Sequence, residues 1–406
     1  MQIVIGFLVL LLVALIGSHS LRSFYTPPPI IRRLFDNGLI FIAVGMAVGP
    51  AGVDLLTPDV LEKSGPVVVL FLGWIGFLFG VHLEWRRLRR IVLPMWTIAV
   101  GESLLTFALV FIGAYWFLAN RLFLGHDATI LFAAVVTLAA CAAGTAPSSV
   151  FLLDDRPRFT GRIAQATRLV GTVDDLPGLL IFGFFFAFFP TYHVGPIAWT
   201  TGLALATLTL LLGVLFGILL KSVMLLARNE QTVLLVVLGV ISLAAGFAEY
   251  IHLSAVFVGT IAGITFANLS GQKETVYRVL ASSEQTIYVL FLMLVGCMWS
   301  FDTAHLLPLA LLYLGLRLVG KVLGGMLGHR LTGAPPGRLR LGGLGLLGQG
   351  GMAIAMAINY ERLYQSPISS LVVTTLILGV VVNELVGPSL ASIPFGRALV
   401  RREDKP

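Results

Sequence analysis

Runs of about 20 mainly apolar residues, long enough to cross a bilayer as helices, recur from one end of this 406-residue chain to the other, separated by short segments that carry most of the charge. A soluble core of this length cannot hide so much apolar surface. A bilayer takes it up helix by helix, provided each backbone N–H and C=O is satisfied within its own segment. Composition agrees, with 57% of residues hydrophobic and 12% charged, against roughly 25% charged in a soluble domain. The chain therefore reads as an all-α polytopic membrane protein. Thirteen spans are predicted, near 1–17, 35–52, 65–83, 91–118, 128–153, 163–189, 197–226, 231–248, 253–269, 284–301, 305–328, 339–361 and 367–391. The eighth and ninth are short, separated only by Glu249, Tyr250, Ile251 and His252. The first lacks a basic leader and a small-residue cleavage site, so it reads as a retained span rather than a signal peptide.

The net charge of +7 does not point to nucleic acid, because the basic residues sit in short runs between spans. They report orientation. Most of the 27 lysines and arginines fall in alternate loops and at the C-terminus, with the largest clusters at Arg86, Arg87, Arg89 and Arg90 and at Arg156, Arg158 and Arg162. The opposite side carries Lys63, Arg121 and Arg362, and Arg168, Arg317 and Lys321 remain inside spans. This asymmetry places the N-terminus outside and the C-terminus in the cytoplasm of the cell membrane. Cys141 and Cys297 lie far apart in apolar stretches and suggest neither a disulfide nor a thiolate site. The seven histidines show no metal-ligand spacing. No phosphate loop, nucleophile triad, cofactor site or resident metal site is read, and no enzymatic activity is expected.

The chain also resembles itself. Val44-Gly45 with Gly49 matches Val258-Gly259 with Gly263, and Val69-Leu70-Phe71-Leu72 with Gly76 matches Val289-Leu290-Phe291-Leu292 with Gly296, at offsets of 214 and 220 residues. Spans two to six then correspond to spans nine to thirteen. Two spans intervene, so the second set of five starts on the opposite side, which is the inverted repeat of secondary transporters.

Chemistry concentrates in four spans. Span six carries Asp174 and Asp175 near its middle, where an ionised carboxylate costs about 2.5–3.5 kcal/mol on insertion scales and usually marks an ion or proton path. Two adjacent carboxylates repel, so one favours a proton, and a cation can replace that proton. Span five is broken by Gly144, Thr145, Pro147 and Ser148, and span twelve by Gly348, Gln349, Gly350 and Gly351, at nearly repeat-equivalent positions. Such breaks expose carbonyls and half-helix ends to a midplane site. Span eleven places Arg317 and Lys321 four apart on one helix face. Either can neutralise the aspartates, but only the lysine can give up a proton; both can instead snorkel to the membrane edge. Glu102, Arg168, Asn383 and Glu384 read as supporting polar groups rather than substrate contacts.

These motifs, with Gly45–Pro50 and Ala51-Gly52-Val53, Phe79 to Glu84, Leu253-Ser254-Ala255, and Asn383-Glu384-Leu385-Val386-Gly387-Pro388, resemble the monovalent cation:proton antiporters, closest to the branch of sodium/proton antiporters and potassium efflux systems. The resemblance spans nearly the whole chain. It implies a sodium/proton antiporter-like fold with crossed broken helices, a core bundle at about 91–189 and 305–391, dimerisation or panel helices at about 1–83 and 197–301, and a homodimer moving by elevator-like alternating access. It implies Asp175 as the cation and proton carboxylate, Asp174 beside it as partner of the span-eleven lysine, and Thr145 lining the site. Two positions depart from the family pattern. Ala146 stands where Ser or Asp is frequent, and Met352 where the potassium efflux branch has Glu. About fifteen residues follow the last span, so no C-terminal nucleotide-binding or regulatory domain is expected.

The reading is thus a secondary transporter in the lipid bilayer that exchanges a monovalent cation, sodium first and potassium or lithium as alternatives, for protons. Two carboxylates and a lysine that can deprotonate would allow two protons per cation. Alternatives on the same scaffold are a cation-coupled organic-anion carrier, a channel or a sensor.

Overall fold

The computed structural model describes residues 38–91, 93–121, 128–145, 170, 171, 173–189, 199–227, 229–299, 305–331, 342–366 and 368–403. The predicted first span lies outside them. In chain order the helices are α1 (Ile40–Val48), α2 (Pro58–Lys63), α3 (Gly65–His82), α4 (Trp85–Leu88), α5 (Leu93–Arg121), α6 (Ala128–Ala143), α7 (Asp175–Phe188), α8 (Trp199–Met224), α9 (Glu230–Tyr250), α10 (Ala255–Leu269), α11 (Lys273–Met298), α12 (Leu306–Leu331), α13 (Gly351–Leu363) and α14 (Ser369–Glu403), with a 3-10 turn at Gly342–Leu346. No strand occurs among the described residues. Helices α3, α5, α8, α9, α12 and α14 each contain a window long and apolar enough to cross a bilayer. This is a multi-pass membrane protein.

Helix ends follow local chemistry. The Asn229 side chain accepts the Thr232 N–H at 2.8 Å and starts α9, and the Ser254 hydroxyl accepts the Phe257 N–H at 3.1 Å and starts α10. Between them His252 takes a left-handed φ of 56°, and Leu253 N–H reaches back to Ala248 O at 2.8 Å. That closure separates the closely spaced spans eight and nine into two helices. Helix α11 begins at Lys273, well before the apolar window near 284, because its first turns are polar yet helix-forming. Helix α14 likewise runs past 391 to Glu403.

The chain divides into two compact units, Met1–Trp85 with Ala187–Phe301, and Arg86–Phe186 with Asp302–Pro406. The first is built around two glycine-mediated helix contacts. In α1 against α11, a Cβ on Gly45 would overlap Met293 O, and one on Gly296 would overlap Ile42 O. In α10 against α3, a Cβ on Gly259 would overlap Gly73 O, and one on Gly76 would overlap Val256 O. At the sequence offsets of 214 and 220, each of these four contacts maps onto another of them. Glycine at these positions lets the backbones approach to van der Waals distance, the usual source of cohesion between helices in lipid. Trp74, Phe77, Phe266, Val237 and Ile241 fill the core around α3.

In the second unit α6 is enclosed over most of its length. Its run from Ala133 to Ala143 is almost wholly inaccessible and mostly alanine, which leaves room for close neighbours. Helix α13 is buried in the same way from Ile354 to Ile358. Helices α5 and α12 pack along a seam in which Gly320 faces Thr106 and Gly324 faces Glu102. Neither α6 nor α13 is long enough to span alone, since α6 ends at Ala143 and α13 begins only after four non-helical residues, 347–350.

Candidate functional site

The ends of α6 and α13 meet inside the second unit. Thr145 Oγ1 donates to Leu346 O at 2.9 Å, Gln349 Nε2 donates to Cys141 O at 2.9 Å, and Cys141 Sγ lies 3.4 Å from Ala353 O. Breaking both helices here leaves backbone carbonyls without intrahelical donors in a water-poor interior, where each needs another partner. Helix α12 supplies two of those partners from one face. Arg317 Nη1 donates to Leu347 O at 2.7 Å, and its Nη2 donates to Gly144 O at 2.7 Å and Gly348 O at 3.1 Å. Lys321 Nζ donates to Ala143 O at 2.5 Å. A planar guanidinium suits three carbonyls arriving from two segments, whereas the ammonium acts as a compact point charge.

That point charge also faces two carboxylates. Lys321 Nζ stands 2.9 Å from Glu102 Oε1 and 3.2 Å from Asp174 Oδ2, and all three side chains are inaccessible. It donates in addition to Thr145 Oγ1 at 2.8 Å. Thr106 Oγ1 donates to Glu102 Oε1 at 3.2 Å, and Ser103 Oγ donates to the Asp174 carbonyl at 2.8 Å. Among the described residues Glu102 Oε2 and Asp174 Oδ1 have no hydrogen-bond partner.

Asp175 diverges from Asp174. It is the first residue of α7, where a carboxylate is favoured by the helix dipole, and its side chain turns toward the broken segment of α6. A Cβ on Gly144 would overlap Asp175 Oδ1, so glycine is what lets the carboxylate lie against the chain there. Asp175 is partly accessible while Asp174 is fully enclosed. Among the described residues no Lys or Arg lies within ion-pair distance of Asp175. The pair thus consists of one fully enclosed carboxylate held by a lysine and one partly accessible carboxylate with no such partner among the described residues.

A second constellation holds the start of α13. The Gln349 N–H donates to Glu384 Oε1 at 3.1 Å, its Nε2 donates to Tyr313 OH at 2.7 Å, and its Oε1 accepts from Asn383 Nδ2 at 3.2 Å. Gln349 therefore ties α13 to α6, α12 and α14 at once.

Of the residues singled out in the sequence, Thr145, Asp174, Lys321 and Glu102 come together on one ammonium, with Asp175 and Gly144 beside them. Arg317, Gly348 and Gln349 join through the broken segments. Gly350 precedes α13 as its N-cap and Gly351 opens it. Lys321 and Arg317 do not snorkel to the membrane edge, since both are inaccessible. Pro147, Ser148 and Arg168 lie outside the described residues. Sequence reasoning passed over Ser103, Thr106 and Tyr313. The signal for two of them was present, because Thr106 follows Glu102 by one turn and Tyr313 precedes Arg317 by one turn, each on a shared helix face. Among the described residues no group of His, Cys, Asp and Glu could hold a metal ion.

Among solved structures, the chain is similar to the sodium proton antiporter MjNhaP1 from Methanocaldococcus jannaschii at pH 8, with a TM-score of 0.65 at 17% sequence identity, covering 98% of this chain and 100% of that one. A structure of the same antiporter from an electron-microscopy map gives a TM-score of 0.62 at 17% identity, covering 100% of this chain and 99% of that one. At this identity the likeness shows a shared fold. Comparison with curated proteins gives no match. The family described as sodium/hydrogen exchanger, transmembrane, matches residues 6–394. With that match running across nearly its whole length, the chain belongs to the sodium/hydrogen exchanger family.

Proposed function

We propose that this protein exchanges sodium for protons across the cell membrane, with Asp175 as the carboxylate for which the two ions compete. The observation that carries this reading is the contrast within one pair, in which Asp174 is held by Lys321 while the adjacent Asp175 is partly accessible and has no cationic partner among the described residues. A proton or a small cation neutralises the same group, so the two cannot be carried together, and competition alone couples them. Asp174 adjusts the affinity of Asp175 and exchanges its partner Lys321 for the incoming cation, and Thr145 adds a hydroxyl oxygen at the edge of the site. Potassium and lithium are the alternative cations.

The unit that holds these residues is the carrier, and it crosses by elevator-like alternating access only when the site is neutralised. The matching contacts of Gly45 with Met293 and Gly259 with Gly73, and of Gly296 with Ile42 and Gly76 with Val256, support an inverted repeat of five spans. The helices at about 1–83 and 197–301 then form the panel and dimerisation half. The distribution of Lys and Arg supports an external N-terminus and a cytoplasmic C-terminus.

The test is proton efflux from acid-loaded proteoliposomes on adding sodium, lithium, potassium or choline outside. A response to one or more of the small cations, absent with choline and lost in Asp175→Asn, is the expected result. Full pH-dependent exchange by Asp175→Asn would remove Asp175 from the mechanism, and no response to any cation over a wide pH range would favour an organic-solute carrier or a sensor.

A further inference from the structure

Lys321 has more partners than protons. An ammonium has three N–H groups, yet Nζ contacts four acceptors: Ala143 O at 2.5 Å, Thr145 Oγ1 at 2.8 Å, Glu102 Oε1 at 2.9 Å and Asp174 Oδ2 at 3.2 Å. The longest of the four is the one to Asp174. If Asp174 turns away, the remaining three acceptors still match the three protons. Glu102 is also the more closely packed partner. Its side chain lies in the α5–α12 seam against Gly324, where any Cβ would overlap Glu102 Cα and Cγ, and Thr106 Oγ1 anchors the oxygen that faces the lysine. Among the described residues the charged groups around Glu102 are Lys321 and Arg317 on α12 and Asp174 just before α7, with Asp175 beyond Asp174. Arg317 is committed to backbone carbonyls and does not compete for Glu102 among the described residues.

We propose that Glu102 is the second counter-ion of Lys321, holding the ammonium in place when Asp174 swings to a bound cation, so that the lysine keeps its proton and each cation is exchanged for a single proton. Glu102 is in this sense a positioning residue, acting on the transported ions through Lys321. The proposal rests on the exchanger reading above and narrows it. In the proton-loaded site one proton sits on the aspartate pair; in the cation-loaded site one cation replaces it. Lys321, Arg317 and Glu102 keep their charges in both. The two loaded states therefore carry equal charge, and no net charge moves per cycle. Without a carboxylate at position 102, the departure of Asp174 leaves a buried ammonium with no counter-ion. Such an ammonium sheds its proton. Two protons then leave for each cation, and one net charge moves per cycle.

The experiment compares wild type, Glu102→Gln and Glu102→Asp as purified full-length protein. Sodium-driven proton flux is recorded in proteoliposomes under imposed membrane potentials of either sign. The protons released per sodium bound are counted in weakly buffered detergent solution with a pH indicator. Wild type is expected to ignore the potential and release one proton per sodium. Glu102→Gln is expected to respond to the potential and release two, and Glu102→Asp to return toward the wild-type values. Wild-type exchange that follows the potential, or a wild-type count of two, overturns the proposal while leaving the exchanger reading intact. So does a folded Glu102→Gln that still releases one proton, or that no longer binds sodium. If Glu102→Gln does not fold, the wild-type potential dependence and proton count decide alone. No exchange of any tested cation by wild type overturns both readings together.

Discussion

Lys321 and its two carboxylates form a buried cluster whose members depend on one another. Removing one charge from such a cluster leaves the others unpaired in a water-poor interior, at a cost of about 3–5 kcal/mol, while neutralising a pair together costs far less. Lys321→Gln is therefore expected to lower the thermal stability of the detergent-solubilised protein sharply, and adding Glu102→Gln to recover a large part of the loss. The coupling between the two positions should be about 0.5–3 kcal/mol, as for residues in direct contact. Strictly additive losses in thermal or denaturant unfolding would show that the contact at 2.9 Å does not persist in solution. Arg317→Lys tests the other cation. A lysine cannot reach three carbonyls from two segments with one planar fork, so the meeting of α6 and α13 should loosen, with a lower melting temperature and impaired exchange. Unchanged melting would mean that the carbonyls find other donors.

At the scale of helices, glycine divides into two kinds. Gly76 in α3 faces Val256 O so closely that a Cβ has nowhere to go, whereas Gly101 in α5 has no atom of the described residues within 4 Å of the Cβ it lacks. Gly76→Ala is expected to destabilise by about 1–3 kcal/mol through overpacking. Gly101→Ala should be neutral or stabilising by up to about 1 kcal/mol, because alanine loses less backbone freedom on forming a helix. Equal melting temperatures for the two variants would mean that the α3–α10 contact is looser than its geometry. The same reasoning explains why the sequence offsets at Gly45, Gly76, Gly259 and Gly296 were legible at all. Apolar side chains facing lipid are interchangeable, but a backbone-to-backbone contact accepts only glycine, so the pattern survives where two helices touch.

For the molecule as a whole, the charge distribution predicts which loops face which compartment. Cys141 and Cys297 are both buried and should not react with a maleimide in the folded protein, so a new cysteine reports its own position. Lys63 and Arg278 carry exposed side chains on sides predicted to be opposite. Lys63→Cys should be labelled in intact cells by a membrane-impermeant maleimide, and Arg278→Cys only after permeabilisation. The reverse pattern would invert the orientation drawn from the positive-inside rule.

The amino-acid sequence by itself determined that the chain is helical and membrane-spanning, because lipid forces each backbone segment to satisfy its own hydrogen bonds and so leaves an unmistakable apolar run. It also determined where chemistry had to be sought, since Asp174, Asp175, Arg317 and Lys321 are too costly inside such runs to be incidental. Periodicity further put Arg317 and Lys321 on one face of α12. What it could not decide was which of the two meets a carboxylate. One turn apart on one helix, they are equivalent until neighbouring helices bring Gly144, Leu347 and Gly348 carbonyls to the first and Glu102 and Asp174 to the second. The same limit hid the place of Glu102, whose partner lies on another helix far along the chain. Helical spacing states the face on which a residue stands, and only the tertiary structure decides what is brought to face it.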